Sequence, residues 1–142
     1  MPVLLSFQGS FPDFVWEVLV NKELAIGKDK LTEWIEKTHF NVCNVNDALI
    51  LANYGEVLQY IQESDYYSNR ALASWSQKDT ADPWLIAAAK AKGYTIVTFE
   101  TPSGGLNANT PNNNPKIPDV AQKFGVKTVN LYEMIRALHI TI

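Results

Sequence analysis

The chain has 142 residues, of which 46% are hydrophobic and 11% aromatic, so it is not a disordered or low-complexity protein, and we expect one packed domain over residues 1–142. Its net charge of −3 argues against nucleic-acid binding through a general basic surface, although carboxylates that bind a metal also lower the charge of a nuclease. The single Cys43 excludes an internal disulfide and a cysteine-rich zinc site, which fits a cytoplasmic protein.

The first part of the sequence predicts alternating strands and helices. Residues 3–7 are a short apolar run, which predicts a strand. They have neither the basic flank expected of a signal peptide nor the length expected of a membrane span. The apolar positions within residues 14–19 are spaced for one face of a helix. Residues 23–26 predict a short strand, and residues 31–37 a second amphipathic helix.

The middle of the sequence predicts two or three short helices between residues 39 and 78, the first of them capped by Asn46 or Asp47. A further helix begins at Asp82, whose carboxylate can accept hydrogen bonds from the first turn, and Gly93 ends that helix. Residues rich in β-branched and aromatic side chains follow and predict a buried strand that ends at Glu100.

The last part begins with a polar stretch, residues 101–118, which is rich in Asn, Pro and Gly and predicts an exposed loop. Asp119 stands at the start of a short helix that Gly125 ends. A last strand over residues 126–131 and a last helix over residues 132–138 complete the chain.

Several carboxylates stand at the boundaries of these elements, namely Asp82, Glu100, Asp119 and Glu33. In a parallel sheet, strand carboxyl ends and helix amino ends meet at one edge, so the first three of these acids are expected to converge. Oxygen ligands favour Mg²⁺ or Mn²⁺. Each acid also has a purely structural interpretation, as a helix cap for Asp82 and Asp119 and as a solvated charge for the other two.

Three segments of the second half resemble the PIN-like domains, in particular a bacterial branch of that family. They read A-D-P-W-L-I-A at residues 81–87, V-T-F-E at residues 97–100 and K-I-P-D-V at residues 116–120. The resemblance implies an α/β fold, a three-layer α/β/α sandwich with a central parallel sheet.

In function, the resemblance implies an Mg²⁺-dependent endoribonuclease related to the toxins of toxin–antitoxin pairs. Asp82, Glu100 and Asp119 match positions of the acidic cluster that would hold Mg²⁺ or Mn²⁺, and Glu33 matches a further acid of the active site. The resemblance also implies RNA as the substrate, an antitoxin-like protein as a partner, a homodimer and no association with a membrane.

The first strand departs from the family pattern, since family members carry L-L-D-T-N where this chain reads Leu4-Leu5-Ser6-Phe7. A neutral serine hydroxyl is a weak ligand for a divalent cation. Glu33 supplies the second family acid if residues 24–26 form the second strand. In a rival alignment residues 28–36 match a later segment, and that acid is then missing.

Three alternatives therefore stay open for the activity. The chain is an active nuclease, an impaired or inactive copy that serves as a protein- or RNA-binding module, or a chain that begins downstream of the family's first strand.

Overall fold

The computed structural model describes residues 4–7, 14–17, 41–43 and 46–137, with side chains described over residues 46–137 apart from Ile135. The predicted strand at residues 23–26 and the predicted helix at residues 31–37, with its Glu33, lie outside the described residues.

Five strands form one mixed sheet in the order β3-β1-β2-β4-β5. Their bounds are β1 Leu4–Phe7, β2 Phe14–Glu17, β3 Asn41–Cys43, β4 Thr95–Val97 and β5 Thr128–Val129. β2, β4 and β5 are parallel, whereas β1 pairs antiparallel with both β2 and β3. The α/β class is confirmed, but the sheet is not parallel throughout. The six residues between β1 and β2 are too few for the crossover that a parallel pair needs.

The helix predicted over residues 14–19 is wrong, because Phe14–Glu17 is the strand β2. This strand lies between two others, with Phe14 opposite both Phe7 of β1 and Thr95 of β4. Aromatic and β-branched residues favour strands, and pairing on both edges outweighs the helical spacing of a short apolar run.

Five helices are described, and their bounds are α1 Ala48–Glu63, α2 Asn69–Trp75, α3 Asp82–Lys92, α4 Ile117–Lys123 and α5 Leu131–Ala137. The first of them continues through Gly55, where the sequence predicted separate short helices. Asp47 is confirmed as its N-cap, since its carboxylate accepts hydrogen bonds from the N–H groups of Leu49 (2.8 Å) and Ile50 (3.4 Å).

α3 is the centre of the core. Seven consecutive residues of this helix, from Pro83 to Ala89, are buried, and the helix packs against α1, α4 and the strands β2 and β4. A helix that is apolar all round has to be covered on all sides, and the small side chains of residues 87–89 let its neighbours approach closely.

Gly93 ends α3 and turns the chain into β4, as the sequence predicts. Its φ of 74° is a left-handed conformation that glycine adopts without strain, and its N–H donates to the carbonyl of Ala89 at 2.8 Å. β4 follows at once with the buried Ile96, which lies opposite Thr128 of β5.

Candidate functional site

A long connection of residues 98–116 joins β4 to α4, and two of the predicted acids close it. The Glu100 carboxylate accepts a hydrogen bond from the N–H of Ile117 at 3.3 Å, and the Asp119 carboxylate accepts one from the N–H of Ser103 at 3.1 Å. Glu100, near the start of the connection, therefore binds the first residue after it, and Asp119, just after the connection, binds Ser103 within it.

The sequence of the first turn of α4 explains why these carboxylates are needed. Lys116 is the N-cap and makes no side-chain capping bond, so the first N–H groups of the helix lack a local acceptor. Glu100 provides one from across the loop. Asp119 is the third residue of the helix, so it is not an N-cap, and its negative charge is favourable within the first turn.

Asp82 is the first residue of α3 and is half-buried. The N-cap is Ala81, so the interpretation of Asp82 as the capping residue is wrong. α3 packs against α4, the helix that carries Asp119.

Over residues 4–7, 14–17, 41–43 and 46–137, no group of three or more His, Cys, Asp or Glu side chains lies close enough to hold a metal ion. Glu100 and Asp119 are both recruited to the same loop, but Asp82 does not complete a three-residue group with them. Carboxylate oxygens are the right kind of ligand for Mg²⁺, which proteins often bind through one or two carboxylates together with water and substrate phosphate. The described side chains thus offer suitable donors without the predicted three-acid cluster.

The loop is also fixed at its far end, where it meets the segment between α1 and α2. Asn112 donates its N–H to the carbonyl of Tyr66 at 2.7 Å and accepts at its own carbonyl from the N–H of Ser68 at 3.1 Å. The Ser68 hydroxyl binds the side chain of Asn113 at 2.5 Å. The sequence predicted an exposed loop without these contacts, and only its abundance of Asn, a residue that builds tight turns, signals such order.

Tyr67 lies next to this contact and is 6% exposed. Within the described part of the chain, its buried hydroxyl makes no hydrogen bond of normal geometry, but it lies close enough to the Tyr60 side chain for a weak polar contact. Burial raises the pKa of Tyr67, and the neighbouring Tyr60 and Asp119 raise it further. The phenol is therefore held neutral beside the carboxylate of Asp119, a feature that no sequence pattern indicated.

An exposed aromatic pair lies beside Glu100. The rings of Phe99 and Tyr132 meet edge to face, with 6.2 Å between their centroids and 64° between their planes. The two residues are 59% and 67% exposed, the two highest values among the exposed large hydrophobic residues of the described chain. We name them the aromatic edge. Sequence reasoning missed this pair.

Backbone contacts of β4 and β5 fix the aromatic edge in place. The N–H of Thr98 donates to the carbonyl of Val129 at 2.8 Å, which holds the ends of the two strands together. Asn130 and Glu133 then form a reciprocal capping box at the start of α5, with bonds of 2.8 and 3.3 Å. Tyr132 lies between these two residues, so the box fixes its backbone position.

A shallow groove of about 360 Å³ lies between α1 and α4. Its lining is aromatic and charged and includes Tyr60, Glu63, Lys123 and Phe124. The Lys123 ammonium lies 5.7 Å from the centroid of the Tyr60 ring. None of the predicted acids lines the groove, so the acids and the groove are separate features.

The described helices include none with the length and apolar character needed to cross a bilayer. The model of a protein family described as Domain of unknown function (DUF4411) matches residues 13–142, from just before β2 to beyond α5. No curated protein and no solved structure matches the chain. The match includes all three motif segments and leaves β1, with Ser6, outside it.

Proposed function

This chain belongs to the DUF4411 family, and we propose that it is a PIN-like, toxin-related endoribonuclease that hydrolyses RNA phosphodiesters with Mg²⁺ or Mn²⁺. We further propose that the helices of such a domain cover both faces of the sheet in three layers. The observation that carries the proposal is the position of three acids at the ends of packed elements. Asp82 opens α3, Glu100 follows β4, and Asp119 lies in the first turn of α4.

The topology supports a common location for these acids. β2, β4 and β5 are parallel, so their carboxyl ends share one edge of the sheet, and Glu100 lies just beyond that edge. Ligands of open α/β sheets bind outside the carboxyl ends of strands. The first turns of α3 and α4 contribute the other two acids, where the helix dipoles favour negative charge.

The proposed roles follow from this placement. Asp82, Glu100 and Asp119 would hold the cation. Glu33 lies outside the described residues and is proposed as a further acid of the site from the resemblance alone. A divalent cation bound there would supply an activated water and would neutralise charge on the phosphate. The hydrogen bonds from Ile117 and Ser103 to Glu100 and Asp119 fix these two carboxylates before any cation binds.

Binding of Mn²⁺ tests the proposal directly. Calorimetric titration of the wild-type chain should show saturable binding, and Asp82→Asn should weaken it by about tenfold or more, because a ligand charge is lost. Asp65→Asn is the matched control, since Asp65 is exposed and lies between α1 and α2. Absence of saturable binding, or equal binding by all three proteins, would contradict a metal site at Asp82.

A second candidate function is a non-catalytic module that binds RNA or a protein. It is favoured by Ser6 in β1, where the resemblance leads us to expect an Asp, and by the structural hydrogen bonds that already engage Glu100 and Asp119. Restoring the acid with Ser6→Asp and measuring RNA cleavage in Mg²⁺ separates the two candidates. Cleavage that is equal in both proteins supports the nuclease, whereas cleavage only by the variant indicates an impaired copy.

The proposed relationship to toxins extends to partners and location. We expect a cytoplasmic protein that forms a homodimer and binds an antitoxin-like protein. Sedimentation of the purified chain across a concentration series tests the dimer, and a strictly monomeric chain would contradict it.

A further inference from the structure

We propose that the aromatic edge, Phe99 and Tyr132, is a stacking platform for an unpaired base of single-stranded RNA. The inference rests on the proposed function, since it assigns a base-binding position to the same site. It adds a substrate class, because a base inside a duplex is already stacked and cannot lie on a protein ring.

Exposure is the first observation that supports this role. Both side chains are more than half in solvent, whereas Trp75, Trp84 and Tyr94 are buried. Aromatic rings stabilise a fold through burial, so a pair left in solvent contributes little to the stability of this chain. The pair offers ring surface of the kind on which nucleobases stack.

Position is the second observation. Phe99 directly precedes Glu100, so their Cα atoms are about 3.8 Å apart. The other ring, Tyr132, belongs to the helix that follows β5, the strand paired with β4. The platform therefore lies within one residue along the chain of an acid that we propose as a ligand of the cation.

Rigidity and charge complete the argument. The capping box of Asn130 and Glu133 orders the first turn of α5, so the backbone that carries Tyr132 is ordered before RNA binds. Arg136 lies four residues after Tyr132 on the same face of α5 and is exposed. Its guanidinium is suited to a phosphate of the bound strand.

RNA binding in EDTA tests the platform while cleavage is blocked. Fluorescence anisotropy with a short labelled oligouridylate should give a Kd that rises about fivefold or more in Phe99→Ala and in Tyr132→Ala. Phe99→Trp and Tyr132→Phe keep an aromatic face and should bind as the wild type does. Tyr66→Ala is the matched control, because Tyr66 is an exposed aromatic residue between α1 and α2.

Equal affinity of the alanine variants and the wild type would overturn the platform, as would equal binding of the same oligonucleotide within a duplex. A change in sedimentation of the alanine variants without a change in RNA affinity would also overturn it and assign the aromatic edge to a protein contact. Cleavage assays in Mg²⁺ keep the two proposals apart. A wild type that binds through the edge but does not cleave leaves the platform standing and removes the nuclease.

Discussion

Glu100 and Asp119 are both proposed ligands of the cation and observed acceptors of hydrogen bonds that close the loop. Each accepts a hydrogen bond from a backbone N–H on the other side of the loop entrance, so each contributes to stability whatever else it binds. Hydrogen bonds to charged groups contribute more than neutral ones, about 1.5–3 kcal/mol each. Variants of these acids therefore have to be judged by fold as well as by activity.

Two substitutions at Asp119 separate these roles. Asp119→Ala removes the acceptor for the Ser103 N–H and should lower the free energy of unfolding by up to about 1 kcal/mol, because this hydrogen bond is exposed to solvent. Asp119→Asn keeps an acceptor oxygen and should cost less, while it removes the charge that a cation needs. Urea denaturation measures the stability and Mn²⁺ titration the binding. Equal stability of the two variants would contradict the loop-closing role.

Tyr67 provides a second prediction for a single residue. Its buried hydroxyl makes no hydrogen bond of normal geometry among the described residues, so Tyr67→Phe should leave stability at neutral pH unchanged or raise it by up to about 1 kcal/mol. A loss of more than that amount would show that the hydroxyl has a stabilising partner. Urea denaturation of both proteins in parallel gives the comparison.

The same variant has a pH signature. The pKa of Tyr67 is raised from its ordinary value of 10.0, so the unfolded chain releases this proton at lower pH than the folded chain. The resulting contribution to stability is complete below pH 10 and is lost as the pH rises towards the folded-state value. Tyr67→Phe should therefore lose less stability than the wild type between about pH 9 and about pH 11. If the free energy of unfolding fell equally with pH in the wild type and in Tyr67→Phe, the raised pKa of Tyr67 would be contradicted.

At the scale of elements, the unit from α3 through Gly93 to β4 could be predicted because its signals are local. A proline in the first turn, an apolar helix and a glycine with positive φ each act within a few residues. β2 could not be predicted in this way. Its strand conformation depends on pairing with β1 and β4, and β4 is distant in sequence.

The link between the start of α1 and the end of α3 is also non-local. Asp47 accepts hydrogen bonds from Lys92 at 2.9 Å and from the N–H groups of the first turn of α1, and both interactions lower its pKa from the ordinary 3.8. A lowered pKa stabilises the fold above the unfolded-state value, and this stabilisation is lost as the pH falls through the folded-state value. Acid should therefore loosen the contact between these helices.

Asp47→Asn isolates the charge, because the amide keeps an acceptor for the cap. We expect a lower midpoint of thermal unfolding than in the wild type at pH 7, and a smaller difference at about pH 2, because the wild-type carboxylate takes up a proton as the pH falls. Asp65→Asn is the control at an exposed residue, and its midpoint of thermal unfolding should equal that of the wild type at both pH values. A difference that does not depend on pH would contradict the contribution of the charge.

For the whole molecule, the positions of the candidate acids along the chain were predictable, but the contacts that these acids make in the fold were not. Asp82, Glu100 and Asp119 were identified from their places at element ends, and those places are close to the ones observed. The hydrogen-bond partners of Glu100 and Asp119 across residues 98–116 could not be predicted, because no local sequence pattern shows which backbone N–H of the loop lies near which carboxylate. The aromatic edge was missed for the same reason, since Phe99 and Tyr132 meet only after β4 and β5 pair.

The all-round burial of α3 leads to a prediction about the whole chain. Ile86 is fully buried in a helix that contacts α1, the sheet and α4, so Ile86→Ala should lower the free energy of unfolding by about 2–5 kcal/mol. Leu51→Ala, at a residue 45% exposed on α1, should cost about 0.5 kcal/mol.

The same unfolding curves test the prediction of one domain. If residues 1–142 share one core around α3, circular dichroism and tryptophan fluorescence should report one coincident transition, and Ile86→Ala should shift both by the same amount. Two of the four tryptophans, Trp75 and Trp84, are buried in that core, so fluorescence is weighted towards it, whereas the circular dichroism signal includes all the helices. Separate transitions, with only the fluorescence transition shifted by the substitution, would mean that part of the chain folds independently of α3.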